Sequence, residues 1–174
     1  AHPPAAAADA GAARAAGLRV QLRFLPGRVT LERGGARRTL ADARDVRLGD
    51  RLHTRGGATL GLRLPGGQWA VVQGSIGLLA VPRRGAAPSR VELALLAGHL
   101  RARATGRGRG LRVALGATRC SCARGPFRVH RVAGRGSWLE TLQGAYVTVS
   151  GPHAERVVPP LSRMTLGPRP GFAH

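Results

Sequence analysis

Lysine and asparagine are absent from this chain of 174 residues, and isoleucine occurs once, as Ile76. All 28 basic residues are therefore arginines, against 8 acidic residues, and the formal net charge is +20. A charge of this size is typical of proteins that bind nucleic acid, anionic membranes or acidic polymers. However, Ala, Arg, Gly and Pro have GC-rich codons, so a GC-rich genome accounts for much of the arginine without a partner. Because the arginines are scattered, we favour this codon interpretation for most of them.

Acidic residues are scarce, and this limits the chemistry that the chain supports. Acid–base catalysis by paired carboxylates needs two acids in one cleft, and the chain has only 8 acidic residues. Asp45 and Asp50 are close in sequence, but three arginines flank them, so we favour ion pairing or turn capping for both. The chain has no Ser-His-Asp order, Walker loop or zinc-protease motif. We therefore predict no catalytic residues.

Long apolar runs and aromatic residues are also lacking. No run of about 20 apolar residues occurs, so the sequence predicts no transmembrane helix. Hydrophobic residues make up 43% of the chain but aromatics only 3%, so Leu, Val and Ala must build the core of a single domain. Trp69, Trp138 and Tyr146 are candidates for stacking on a glycan or a base. For the two tryptophans we favour packing in the core.

The chain has two cysteines, Cys120 and Cys122. Residues two apart on a strand lie about 6.5 Å apart, at the long end for a disulfide, so a bridge between them needs a local bend. The alternative is a copper or zinc site with His130 as third ligand, but no fourth ligand stands at a familiar spacing. We favour a disulfide or two buried small side chains, and predict no metal and no cofactor. His53 and His99 are expected at strand ends, on the surface or in turns.

Apolar and polar residues alternate through much of the chain. The pattern is clearest at Leu60, Leu62 and Leu64, which would share one face of a strand. Residues 91–100 fit a helix or a strand, and their neighbours favour a strand. Short strands at regular spacing, with turns that use many of the 26 glycines, predict an all-β fold. We expect a β-solenoid-like stack of short strands, with a β-sandwich or barrel as the alternative.

The most informative segment is RLGDRLHTRGGATLGLRLPGGQWAVV, residues 47–72. A Gly-Asp step leads into a strand that ends in Thr, and a small-residue turn and alternating leucines follow. This segment resembles the core of the FecR domain family, and four later blocks resemble the family in the same order. Pro126 and the Pro-Gly-Gly turn at 65–67 depart from the family pattern. The positions that carry the resemblance are Gly49, Asp50, Thr54, Gly57, Gly66, Gly98, Arg124, Gly125, Phe127 and Gly144.

The resemblance covers about residues 18–168 and implies an all-β domain that works outside the cytoplasm. Founding members resemble membrane-spanning regulators that sense an outer-membrane receptor and control a sigma factor. Here we expect a stand-alone exported member, periplasmic or secreted, without the anti-sigma and transmembrane segments. Residues 1–17 are expected to form a flexible Ala-rich lead left after signal cleavage, and residues 169–174 a C-terminal tail.

Taken together, these patterns predict a non-enzymatic envelope domain that binds a protein partner or an anionic envelope polymer. The first alternative is a nucleic-acid-binding protein driven by arginine. The second is a glycan-active envelope enzyme, for which Asp50 and Glu140 are the candidate carboxylates. Guanidinium groups on strand faces, and those of the GRGRG loop with its backbone amides, suit phosphates or sugar acids. The candidate polyanion contacts are Arg101, Arg103, Arg107 and Arg109.

Overall fold

The computed structural model describes residues 19–23, 28–81, 90–106, 110–133, 135–152 and 154–166. These residues form β-strands joined by turns, with two single-turn 3-10 helices at Ala43–Asp45 and Pro65–Gly67, so the all-β prediction is confirmed. The predicted lead, residues 1–17, and the predicted tail, residues 169–174, lie outside the described residues. The strands are β1 (Arg19–Arg23), β2 (Val29–Arg33), β3 (Ala36–Thr39), β4 (Arg51–Thr54), β5 (Thr59–Arg63), β6 (Trp69–Val81), β7 (Arg90–Thr105), β8 (Leu111–Leu115), β9 (Thr118–Cys122), β10 (Arg124–Val132), β11 (Gly136–Thr141), β12 (Val147–Ser150), β13 (Glu155–Val158) and β14 (Arg163–Leu166).

The strands stack side by side in one open sheet that does not close into a barrel. Its main path runs β13-β12-β9-β8-β7-β6-β4-β2-β3. The remaining strands attach beside this path, since β5 pairs with β6 and carries β1, while β10 pairs with β7 and carries β11 and β14. The described pairs are antiparallel except β7 with β8, which run parallel. The expected stack of strands is therefore present, although β6 and β7 are much longer than predicted.

The β6–β7 hairpin belongs to two halves of the sheet at once. The start of β6 and the end of β7 lie between β5 and β10, and together with β1, β11 and β14 they form what we call the β10 half. The end of β6 and the start of β7 lie between β4 and β8, and together with β2, β3, β9, β12 and β13 they form the β8 half. Residues 91–100 are strand, as predicted, and β7 continues through Gly98.

Gly74 and Gly98 lie opposite each other where the hairpin passes from one half to the other. Their φ angles are 132° and 102°, a region that favours glycine. A Cβ atom on Gly74 would lie 2.2 Å from the carbonyl oxygen of Ala97, and one on Gly98 would lie 2.2 Å from that of Gln73. The two backbones therefore approach more closely than any side chain permits, and we call this contact the glycine crossing.

Two neighbouring features hold the glycine crossing. The Thr54 hydroxyl accepts a hydrogen bond from the Gly74 N–H at 2.7 Å, which ties the end of β4 to the bend. The pairing of β6 with β7 shifts by one residue between Ser75 and Ile76, and a β-bulge of this kind bends a strand and increases its twist. Thr54, at the end of β4, therefore stabilises the bend through this hydrogen bond.

The two halves bury their inner faces in one apolar cluster. Leu52 and Leu93 contribute to it from the β8 half, and Leu62, Leu100 and Phe127 from the β10 half, each at most 1% exposed. Complete burial of such a side chain contributes about 1.5–3 kcal/mol relative to exposure. The outer faces of the two halves, by contrast, carry most of the arginines, and these faces differ in charge.

Replacing Gly98 with alanine is expected to lower the free energy of unfolding by more than about 2 kcal/mol, because the new methyl group meets the Gln73 carbonyl and the backbone is strained. Urea unfolding followed by circular dichroism measures this loss. Gly77→Ala is the matched control, since its Cβ would lie 3.6 Å from the Ala94 Cβ atom and 3.9 Å from the Ala94 carbonyl oxygen, both ordinary contact distances. Equal losses in the two variants would contradict the importance of the glycine crossing.

Candidate binding face

The outward side chains of the β10 half form one continuous surface, which we call the basic face. Cross-strand register arranges them in three rows, with neighbouring strands about 4.8 Å apart and successive rows about 6.8 Å apart along each strand. The first row is Arg63, Trp69, Arg103 and Pro126; the second is Val71, Arg101, Arg128, Glu140 and Arg163; the third is Gln73, His99, His130, Trp138 and Thr165.

Positive charge dominates this surface. Its five arginines are exposed, whereas Glu140 is the one acidic residue among its described side chains. Glu140 pairs with Arg128 at 3.5 Å. Arg101 lies directly opposite Arg128 in the register of β7 and β10, and like charges in such a pair destabilise a sheet. Fold stability therefore does not explain why Arg101 lies beside Arg128.

The other described acidic residues are elsewhere. Glu32 lies on β2 and pairs with Arg37 at 2.6 Å and with Arg51 at 3.3 Å. Glu92, which is buried, pairs with Arg119 at 3.2 Å. The described acids outside the basic face are Glu32, Asp42, Asp45, Asp50, Glu92 and Glu155, of which Glu92 lies at the start of β7 in the β8 half. Charge is therefore partly neutralised in the β8 half and its loops but concentrated on the β10 half.

The predicted polyanion contacts separate into two groups. Arg101 and Arg103 are exposed on β7, at the centre of the basic face. Arg107 and Arg109 lie outside the described residues. Sequence reasoning missed Arg63, Arg128 and Arg163, which the fold places around the same centre. The alternation of polar and apolar residues along each strand indicated that these arginines point outward. It did not indicate which strands lie next to each other in the sheet.

Both tryptophans lie on the basic face, so the expectation that they pack in the core is wrong. The inner face of β6 is filled by Ala70 and Val72 instead. Trp69 and Trp138 are half-buried, and the Arg163 guanidinium lies 4.4 Å from the centre of the Trp138 ring in a cation–π contact.

Tyr146 is 61% exposed and lies just before β12, in the β8 half. It therefore takes no part in the basic face.

Two histidines stand side by side in the third row. The ring centres of His99 and His130 are 3.9 Å apart, and His130 meets the Trp138 ring edge-on at 5.3 Å. Burial, the neighbouring His99 and then Arg163 lower the pKa of His130 below the usual value of 6.5. His99 lies well inside β7, so the expected strand-end position is wrong for it. His53 lies near the end of β4 and bonds the Ser75 hydroxyl at 2.8 Å.

Cys120 and Cys122 point into the core from β9, and no disulfide joins them in the structure. Burial raises the pKa of the Cys120 thiol to about 12 and that of Cys122 to about 11, so both stay protonated and unreactive. His130 points outward from β10, away from this core. The part of the chain that the structure describes holds no group of three metal-ligating side chains.

Asp50 is engaged in the scaffold. It is 2% exposed, and its carboxylate accepts hydrogen bonds from the Arg33 guanidinium, twice at 2.7 Å, and from the Arg47 backbone N–H at 2.7 Å. Ion pairing and turn capping were both predicted for Asp50, but the ion-pair partner is Arg33 on β2 and not one of the flanking arginines, of which Arg47 donates only its backbone N–H. Glu140 lies in the other half of the sheet, so the two candidate carboxylates do not share a cleft.

The other family-like positions lie in turns, in the core or at close contacts. Gly49, Gly57, Gly66 and Gly144 occupy turns with positive φ. A Cβ atom on Gly125 would lie 2.7 Å from the Cα atom of Ala145, so this glycine lets β10 approach the segment before β12. Two further positions are Phe127, which is in the core, and Arg124, which is exposed.

No protein-family model, curated protein or solved structure matches the chain. The resemblance to the FecR family therefore stays a prediction. Among the described residues, no helix is long and apolar enough to cross a membrane.

Replacing Asp50 with asparagine is expected to lower the free energy of unfolding by about 2 kcal/mol or more, because it leaves the Arg33 guanidinium without its charged partner. Urea unfolding measures the change. Asp42→Asn is the control, since that exposed carboxylate bonds only Arg44 two residues away, and a smaller loss is expected. A larger loss for Asp42→Asn would show that the buried pair is not the important one.

His130 makes stability depend on pH. Its folded-state pKa is lowered, so the folded protein binds fewer protons there than the unfolded chain. The contribution to stability is complete above the unfolded pKa of about 6.5 and is lost as the pH falls through that value toward the folded pKa. We expect a smaller drop in Tm between pH 7.5 and pH 5 for His130→Gln than for the wild type, measured by calorimetry. An identical drop in both would refute this.

Proposed function

We propose that this protein is a non-enzymatic domain that binds an anionic polymer through the basic face. The observation behind this proposal is the uneven distribution of charge. Five exposed arginines share the basic face with one acidic residue, whereas most other described acidic residues pair with arginines elsewhere. Codon bias raises the arginine content everywhere, and it does not remove acids from one half of a folded sheet. The asymmetry therefore supports selection for an anionic partner on this face.

The form of the surface favours a polymer. Small-molecule sites are concave and largely apolar, whereas the basic face is the outer surface of several neighbouring strands. Arg101 and Arg103 stand at alternate positions along β7, about 6.8 Å apart. Cations at a fixed spacing on one strand match a chain that repeats its negative charge, and long-range attraction speeds the encounter.

The proposed place of action is the bacterial envelope, periplasmic or secreted, where anionic polymers are abundant. The FecR-like blocks support this location, since the family works outside the cytoplasm. A nucleic acid is the second candidate, favoured by the presence of a tryptophan and arginines on one face. The two candidates share the arginines but differ in what the aromatic side chain would contact.

The double variant Arg101→Ala/Arg103→Ala is expected to weaken binding to immobilised alginate, a polyuronate, by about tenfold or more at low salt, since each lost cation removes attraction. Arg37→Ala/Arg38→Ala removes the same net charge from β3 and is expected to change affinity less than about threefold. Surface plasmon resonance at several NaCl concentrations measures both. Equal losses would mean that net charge, and not the basic face, governs binding.

A further inference from the structure

We infer that Trp69, with Arg63 and Arg103 on either side, is a subsite for one acidic sugar ring. This inference rests on the proposed function and names the monomer that the basic face selects. The three residues occupy one row across β5, β6 and β7, as direct cross-strand partners. Side chains in such positions are neighbours, with Cβ atoms about 4.5–5.5 Å apart. The row therefore places a cation at each side of an aromatic ring.

Trp69 differs from the other described aromatic side chains. Trp138 is covered by Arg163 at 4.4 Å and contacts His130. Phe127 is in the core, and Tyr146 lies in the β8 half. Within the described part of the chain, Trp69 has no ring contact and no cation over its face. Because it is half-buried, part of the indole remains available to a ligand.

The turn before Trp69 holds it in position. The 3-10 turn Pro65–Gly67 ends two residues before the tryptophan. The Thr105 hydroxyl donates to the Gly66 carbonyl at 2.7 Å, which fastens this turn to the end of β7. The backbone carbonyl of Gln68, a buried residue, accepts a hydrogen bond from the Leu64 N–H at 2.9 Å. A side chain on a fixed backbone loses less entropy on binding, so these contacts favour recognition.

The chemistry of this row fits a sugar acid better than a nucleotide. The electron-rich indole face attracts the polarised C–H groups of a sugar ring, and guanidinium groups bind carboxylates through paired hydrogen bonds. In a polyuronate the ring and its charge belong to one monomer, which matches a cation immediately beside the indole. In a nucleic acid the pentose separates base from phosphate, and single strands are usually held by several successive aromatic side chains. The basic face offers one uncovered aromatic among its described residues.

The test compares three anionic probes: alginate oligomers, polyphosphate of matched charge, which has no ring, and oligothymidylate. Each is titrated into the full chain and its variants by calorimetry. We expect Trp69→Ala to weaken alginate binding about tenfold, a loss of about 1.4 kcal/mol, while polyphosphate binding changes less than about threefold. Tyr146→Ala is the control, since it removes an exposed aromatic side chain outside the basic face, and it is expected to leave both affinities unchanged. In a Trp138→Phe background, where Trp69 is the one remaining tryptophan, alginate but not polyphosphate should alter the fluorescence.

Every outcome decides between the possibilities. Equal weakening for alginate and polyphosphate, or no weakening for either, would overturn the sugar subsite while leaving polyanion binding intact. A larger effect of Trp69→Ala on oligothymidylate than on alginate would replace the sugar with a nucleic acid. Failure of Arg101→Ala/Arg103→Ala to weaken any probe would overturn the proposed function itself. Trp69→Phe keeps a flat ring and is expected to retain most alginate binding, which excludes misfolding as the cause of a loss.

Discussion

The close approach of two backbones at Gly74 and Gly98 is the constraint on which the rest of this structure depends. Without side chains at these positions, β6 and β7 bend together and continue from one half of the sheet into the other. The same hairpin therefore supplies Val72 and Leu100 to one side of the core and Ile76 and Leu93 to the other. A single hairpin thus replaces the separate strands that two packed layers would otherwise need.

The bend also explains how one protein presents two different outer surfaces. In the β8 half and its loops, acids are used locally: Asp50 fixes Arg33 and the turn before β4, and Glu32 holds Arg37. In the β10 half the charge of the arginines is neutralised less, because Glu140 is the one acidic residue among the described side chains of the basic face. The two outer surfaces therefore differ in how far their positive charge is neutralised, and this difference is what supports the proposal that the basic face binds an anionic partner.

Local patterns predicted much of the scaffold. The alternation of Leu60, Leu62 and Leu64 indicated β5 and the buried face that these leucines share, because alternation depends on residues close in sequence. An ion pair was also predicted for Asp50, but only the tertiary structure identified its partner, Arg33 on β2. The tryptophans show the limit of such reasoning. Alternation places Trp69 and Val71 on one side of β6 but does not say which side faces the core. The structure puts Ala70 and Val72 on the inside and Trp69 and Val71 on the outside.

The sequence by itself determined the strands, the turns and the all-β class, because side-chain alternation and the backbone freedom of glycine act over a few residues. Only the tertiary structure decided which arginines gather on one surface. Arg101 meets Arg128, and His99 meets His130, through the register of β7 against β10, two strands far apart in the chain. That register follows from how the buried faces of both halves fit together, a property of the whole core that no local pattern contains.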